Sequence, residues 1–394
     1  MRRPAVVVTM ACIALATSCA GGLSSSSPSG GTVRSGSGTT ASTATPTLVT
    51  SATTSGSPIG TPTRTGPVPT SLPTSPAGSP STAAPRAATV LPPVTVGQQA
   101  WVAVAVATLW RTAASARVVD RPALANPVGV RQWLSRMTLT DRRGLNGRAD
   151  TQALLGDRVI VVARSGSWVK VVVPEQPTPM DARGYPGWVP TVQLTALRPV
   201  ASASIVTVVA RTTYLRTDNA SVTPVTEISF GTRLARVGVS GVWVRVATPT
   251  GRVLRLAASA VVVRAPNVAA LPSTGTDVVR TAQMFTGLPY LWAGRSGFGF
   301  DCSGLTSLDL RAHGVIIPRD ADAQAVKGKV VSSRALRPGD LLFYATRGYV
   351  HHVSIYAGSG RMVQAPRTGS VVQTIPMSTP SYAREFAGAR RFIG

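Results

Sequence analysis

Cys302 stands in Phe300-Asp301-Cys302-Ser303-Gly304-Leu305, where a glycine-rich stretch gives way to helical spacing. A helix N-terminus carries free N–H groups and the positive end of the helix dipole. A cysteine there is expected to have a lowered thiol pKa, to attack as the thiolate, and to have donors at hand for a developing oxyanion. Such a nucleophile needs a base, and the chain has three histidines: His313, His351 and His352. His313 comes near the end of the helix that Cys302 begins, about 16 Å away at 1.5 Å per residue, and is expected at its surface. His351 and His352 enter a strand, along which side chains alternate. His352, Ser354 and Tyr356 share one face and His351, Val353 and Ile355 the other; periodicity does not say which face carries a cleft. The remaining cysteines, Cys12 and Cys19, lie at the N-terminus, so the folded part has no intramolecular disulfide and a lone thiol that suggests use. Three histidines and one such cysteine make no ligand cluster, so no metal and no cofactor are expected.

The elements that position these residues fall into three sets. Residues 96–116 form a mostly apolar segment, a short helix or an entry strand, and 124–139 have helical spacing at Val130, Trp133, Leu134 and Met137. Runs rich in Val and Ile at 158–163, 168–173 and 188–192, separated by turn residues, predict a small β-barrel. A second set of strands, at 204–210, 213–216, 232–239, 242–247 and 252–256, repeats the Trp-Val-x-Val element of the first at Trp168 and Trp243. The tryptophans are expected to plug cores. From residue 269 the pattern changes to a helix capped by Thr276 and running to Phe285, and then the Cys302 helix with its stop at Gly314. Strands follow at 340–344, 352–356, 361–364, 371–374 and 391–393, which together predict an α+β domain.

Residues 1–19 combine a basic tip with a short apolar run and read as an export signal. Ala16-Thr17-Ser18-Cys19 is similar to a lipoprotein cleavage box, with Leu15 one place further from the cysteine than such a box has it. Cys19 is thus a candidate for lipidation and membrane anchoring, release by an ordinary signal peptidase being the alternative. Residues 20–95, mostly Ser, Thr, Gly, Pro and Ala, cannot bury enough apolar area to offset chain entropy and are expected to be a disordered linker. The net charge of +25 comes from 40 basic and 15 acidic residues, the basic ones nearly all Arg. They are scattered without a run and with few aromatic platforms, which argues against nucleic acid and is compatible with an anionic wall or a compositional bias towards Arg.

Several motifs together carry a resemblance. They are Pro289-Tyr290-Leu291-Trp292-Ala293-Gly294, Phe300 to Leu305, Pro318-Arg319-Asp320, Arg337-Pro338-Gly339-Asp340-Leu341 and His352-Val353-Ser354-Ile355-Tyr356. In this order they resemble the NlpC/p60 cell-wall cysteine peptidases, and the paired barrels with Gly184-Tyr185-Pro186-Gly187-Trp188 resemble members in which two SH3-like domains come first. The resemblance implies a multidomain chain: SH3-like domains at 96–200 and 201–268, then a papain-like α+β domain at 269–394. It implies hydrolysis of peptidoglycan stem peptides between D-glutamate and a diamino acid. By motif position Cys302 matches the nucleophile, His352 the base, and Gln364 the third polar residue that orients the imidazole. Tyr290, Asp301, Ser303 and His351 match substrate-holding positions, and Ala321 stands where relatives often have Ser.

In relatives with tandem barrels the first barrel reads the free amine of an N-terminal L-alanine with an acidic residue and a tyrosine. Tyr185 and Asp150 are the candidates here, with Asp157 the rival acid. Two alternatives remain: a wall-binding protein with a weak or inactive peptidase domain, and an amidase or acyltransferase on the same fold.

Overall fold

The computed structural model describes residues 92–394. Cys19, the export signal and most of the expected linker lie outside the described residues. The first barrel contains β1 (Gln99–Val102), β2 (Val106–Trp110), α1 (Arg121–Leu124), α2 (Val130–Arg136), α3 (Leu139–Arg143), β3 (Ala149–Leu154), β4 (Arg158–Ser165), β5 (Trp168–Val173), β6 (Tyr185–Pro190) and β7 (Leu194–Thr195). The second contains β8 (Ile205–Val208), β9 (Thr212–Thr217), β10 (Pro224–Ser229), β11 (Arg233–Ser240), β12 (Trp243–Ala247), β13 (Val253–Ala257) and β14 (Val261–Arg264). Their sheets run β3-β2-β6-β5-β4-β1-β7 and β10-β9-β13-β12-β11-β8-β14, the same order strand for strand. The pattern read at Trp168 and Trp243 is therefore a duplication of the whole unit. Only the first copy carries α1 to α3 between its second and third strands.

Several expected bounds change for physical reasons. The 96–116 segment is two strands. The helical stretch 124–139 is three short helices, broken around Pro127 and Gly129 and restarted at Thr138, whose Oγ1 accepts from Asp141 N at 3.1 Å. Strands β3 and β10 escape the apolar pattern because their polar residues face neighbouring domains: Gln152 Oε1 accepts from Arg295 N at 3.0 Å and Ser296 Oγ at 2.9 Å. Trp110 and Trp133 are fully buried with ring centroids 6.2 Å apart, whereas Trp168 and Trp188 are only partly buried.

The third unit contains α4 (Gly275–Met284), β15 (Arg295–Ser296), β16 (Gly299–Phe300), α5 (Cys302–Ala312), α6 (Ala321–Ala325), β17 (Lys329–Val331), β18 (Leu341–Thr346), β19 (Tyr349–Gly358), β20 (Arg361–Gln364), β21 (Gln373–Pro376), α7 (Pro380–Glu385) and β22 (Phe386–Arg391). Its six-stranded sheet runs β17-β22-β18-β19-β20-β21. Apolar residues of α4 and α5, among them Val278, Ala282, Leu305 and Leu308, pack with Leu341, Phe343, Val353, Ile355 and Val363. The cap of α4 is Thr274, two residues before the expected Thr276: its side chain accepts from Asp277 N at 3.2 Å. The last strand, expected at 391–393, is Phe386–Arg391, where the chain pairs with both β17 and β18.

The barrels share core with the third unit. Phe230 of the second barrel packs edge-on to Phe285 at 5.3 Å, and Phe285 packs on Phe300 at 4.8 Å. The α5 helix also holds a buried polar pair. His313, expected at the surface, is 1% exposed. Its Nε2 lies 3.3 Å from Asp309 Oδ1 and 3.1 Å from Thr281 Oγ1, and its Nδ1 bonds the Pro272 carbonyl. Helix α5 ends against α4 rather than in solvent, so a polar residue at its end needs partners. Replacing His313 by Ala leaves the Asp309 carboxylate buried without its cation, and a loss of about 3–5 kcal/mol is expected. Urea unfolding of the variant against wild type measures it.

Candidate active site

Helix α5 begins at Cys302 because Asp301 caps it: Oδ1 accepts from Gly304 N at 2.6 Å. Gly304 is required for a different reason, since a Cβ there would lie 2.0 Å from the Gly294 carbonyl oxygen. The cap is itself held by Arg319, which is 1% exposed. Arg319 Nη2 donates to Asp301 Oδ2 at 2.6 Å, and Nη1 to Asp301 Oδ1 at 3.1 Å and Ser303 Oγ at 2.9 Å. Its Nε reaches Thr151 Oγ1 on β3 at 2.7 Å, which ties the nucleophile's helix to the first barrel.

The thiol is 9% exposed and receives N–H groups of Ser303 and Val353. Val353 directly follows His352, so β19 brings the imidazole's own backbone against Cys302. The sequence predicts a lowered thiol pKa, and the structure overturns this: burial first, and then the Asp301 carboxylate, push the thiol up to about 12 against the two N–H donors. His352 is 5% exposed, and its Nε2–H donates to Gln364 Oε1 on β20 at 2.6 Å. That bond leaves Nδ1 as the basic nitrogen. Burial lowers the imidazole to about 4, which the Gln364 hydrogen bond opposes. Both shifts favour the uncharged forms, thiol and imidazole.

In front of the thiol lies a cavity of about 470 Å³. The structure brings Tyr290, Asp301, Cys302, Ser303 and His351 together on its wall with Asp150 and Tyr185 from the first barrel. His352 and Gln364 stand outside that lining. Asp157, the rival acid, is elsewhere: it accepts from Leu154 N and pairs with Arg311 at 2.8 Å. Asp150 is not free, since Arg111 Nη2 bonds its Oδ1 at 2.7 Å. Tyr185, 4% exposed, opens β6 and donates to Asp320 Oδ1 at 3.4 Å. His351 is partly exposed at the rim, 3.2 Å from Thr346 Oγ1 and 3.5 Å from Glu385 Oε2. Tyr290 is buried, and burial together with the neighbouring Cys302 and Asp301 raises its hydroxyl well above its ordinary value.

Three contributors went unassigned by sequence reasoning: Arg319, Asp320 and Arg111. The first two lie in the Pro318-Arg319-Asp320 motif, which was the only available signal. Among so many scattered arginines nothing else marks Arg319 or Arg111. Burial pushes the Asp320 carboxyl up to about 6 even though Arg319 lies 3.9 Å away.

A thiol at a helix N-terminus, set against a sheet that carries an imidazole–amide pair, defines the site of a papain-like cysteine peptidase. Residues 287–391 match the model of the NlpC/P60 family, and residues 208–263 match that of the YkfC SH3b2 domain. The chain is 40% identical over 304 residues to a gamma-D-glutamyl-L-lysine dipeptidyl-peptidase of Bacillus cereus, covering 75% of this chain and 91% of that protein. It is 38% identical over 292 residues to the Bacillus subtilis protein of the same name, covering 73% and 96%. A solved NlpC/P60 family protein from Bacillus cereus matches with a TM-score of 0.72 at 38% identity, over 75% of this chain and all of that one. The chain belongs to the NlpC/P60 family of cysteine peptidases, with SH3-like barrels ahead of its catalytic domain.

The raised thiol has a direct consequence. Alkylation of Cys302 by iodoacetamide, followed on its own peptide by mass spectrometry, is expected to be slower at pH 7 than that of free cysteine and to keep rising above pH 9. A rate at pH 7 matching a low-pKa thiolate would contradict a neutral resting thiol.

Proposed function

We propose that the chain hydrolyses the γ-D-glutamyl–diamino acid bond of peptidoglycan stem peptides whose N-terminal L-alanine is free. The observation that carries this reading is the cavity in front of Cys302, whose wall also holds Asp320, Tyr185 and Asp150. A buried carboxylate bonded to a phenol is a partner for an ammonium group. The first barrel supplies two of the three residues, Tyr185 and Asp150.

In this mechanism the Cys302 proton passes to Nδ1 of His352 as sulfur bonds the γ-carbonyl carbon. The α5 N-terminus and the Tyr290 hydroxyl stabilise the oxyanion. The diamino acid leaves as an amine with the proton from His352. Water, deprotonated by His352, then cleaves the thioester and releases L-Ala-D-Glu. Asp301 and Ser303, fixed by Arg319, and His351 at the rim hold the peptide chain. We take 96–200, 201–268 and 269–394 as the domains. We place the enzyme outside the cytoplasm on a Ser/Thr/Pro-rich linker, anchored through Cys19 or released to the wall.

The test is digestion of L-Ala-γ-D-Glu-diaminopimelate peptides, with free and acetylated N-termini, analysed by mass spectrometry. Wild type is expected to cut the free peptide, and Cys302→Ala to cut neither. Asp320→Asn is expected to raise KM for the free peptide by about 10- to 100-fold, the loss of one charge-assisted hydrogen bond. Ammonium binding needs ionised Asp320, so the preference for the free amine is expected to fall as the pH drops through about 6. Equal cutting of both peptides would discard the amine-reading role. Cutting at another bond would indicate an amidase, and no cutting a wall-binding protein.

A further inference from the structure

Helix α7 has no part in the chemistry above, yet one of its residues reaches the imidazole. Ser381, Ala383 and Arg384 are exposed, while Tyr382 turns inward. The rings of His352, Tyr344 and Tyr382 form a triangle: Tyr382 to His352 is 5.6 Å, Tyr344 to His352 is 5.5 Å, and Tyr344 to Tyr382 is 5.2 Å. Tyr344 has its hydroxyl committed elsewhere, to Met362 Sδ at 2.8 Å and Ser354 Oγ at 3.2 Å. Tyr382 does not. Its hydroxyl lies near the Gln364 side chain, whose Nε2 is buried and makes no hydrogen bond of its own.

We propose that Tyr382 is a positioning residue of the peptidase: its ring closes the solvent side of His352, and its hydroxyl holds the Gln364 amide with Oε1 towards His352 Nε2. Both actions serve one end. A covered imidazole stays neutral, and so able to take the thiol proton, in acidic surroundings where an exposed histidine would already be charged. The amide must not flip, because a flipped Gln364 would present donors to Nε2 and force the other tautomer, leaving Nδ1 protonated and useless as a base.

The titratable groups around the imidazole are few. His351 adjoins it on β19, Tyr344 faces it from β18 and Tyr382 from α7, and the neutral Gln364 faces it from β20. Cys302 lies beyond the Val353 N–H on α5, and Glu385 contacts His351 rather than His352. None is a carboxylate against the His352 ring, so solvent cover dominates its protonation.

The experiment reads the imidazole directly and does not depend on the substrate assigned above. The chain has three histidines, so 15N-histidine labelling gives a spectrum assignable by single substitutions. In wild type the His352 nitrogens are expected to titrate near 4, with the Nε2-protonated tautomer above that pH. Tyr382→Ala is expected to move the midpoint towards 6.5 by about one pH unit or more. Tyr382→Phe, which keeps the ring and loses the hydroxyl, is expected to keep the midpoint while the two tautomers mix. A folded Tyr382→Ala protein whose His352 titrates as wild type would overturn the shielding role. A Phe variant with an unmixed tautomer would overturn the orienting role. Should the Ala variant not fold, Tyr382→Leu carries the same comparison.

Discussion

The buried contact between Arg319 and Asp301 is the constraint on which the rest depends. Asp301 caps the helix that carries the nucleophile, and its carboxylate would be intolerable at that depth without a cation. Arg319 supplies the cation and is too far inside to be hydrated, so each of its donors must find a partner in protein. One of those partners, Thr151, belongs to the first barrel. Thr151 in turn donates to Gln176 at 2.6 Å, and Gln176 donates to the Gln152 carbonyl at 2.8 Å. Docking of the barrel and orientation of the α5 N-terminus are therefore one hydrogen-bonded assembly. A barrel that swung away would leave a buried guanidinium short of a partner next to the thiol.

This coupling explains which parts of the molecule could be read from sequence. Apolar alternation located β4, β5, β11 and β12, because each has one face towards its own core and one towards solvent. Helical spacing located α5 by its stripe of Leu305, Leu308 and Ala312, although that helix is buried on nearly all sides. The method loses strands whose second face meets another domain, and β3 is the clearest case. Its Asp150, Thr151 and Gln152 look like loop residues, yet each is occupied: on Arg111, on Arg319, and on the β15 backbone.

The site divides along the same line. Cys302, His352 and Gln364 were legible from motif order, which a short stretch of chain preserves. The contacts of Arg319 and Asp320, marked only by their place in the Pro318-Arg319-Asp320 motif, and the role proposed for Tyr382 depend on three-dimensional neighbours. His313 was misplaced because a helix end was assumed to be a surface. The thiol was misjudged because a dipole at a helix terminus was weighed without the burial of the thiol itself.

That burial gives the site a consistent chemistry. A thiolate–imidazolium pair is favoured where water or fixed charges can solvate both ions. Here the burial of the thiol, the aromatic triangle and the Asp301 carboxylate all oppose it, the first two by desolvation and the last by repulsion of a thiolate. A neutral pair has no need of a carboxylate behind the imidazole, and a buried third carboxylate would carry a desolvation cost of its own. The amide of Gln364 meets the remaining requirement, which is to fix a tautomer. Its neutrality thus matches the uncharged thiol and imidazole in front of it. In the proposed mechanism charge separation is deferred to the moment when a peptide carbonyl and the α5 N–H groups can receive it.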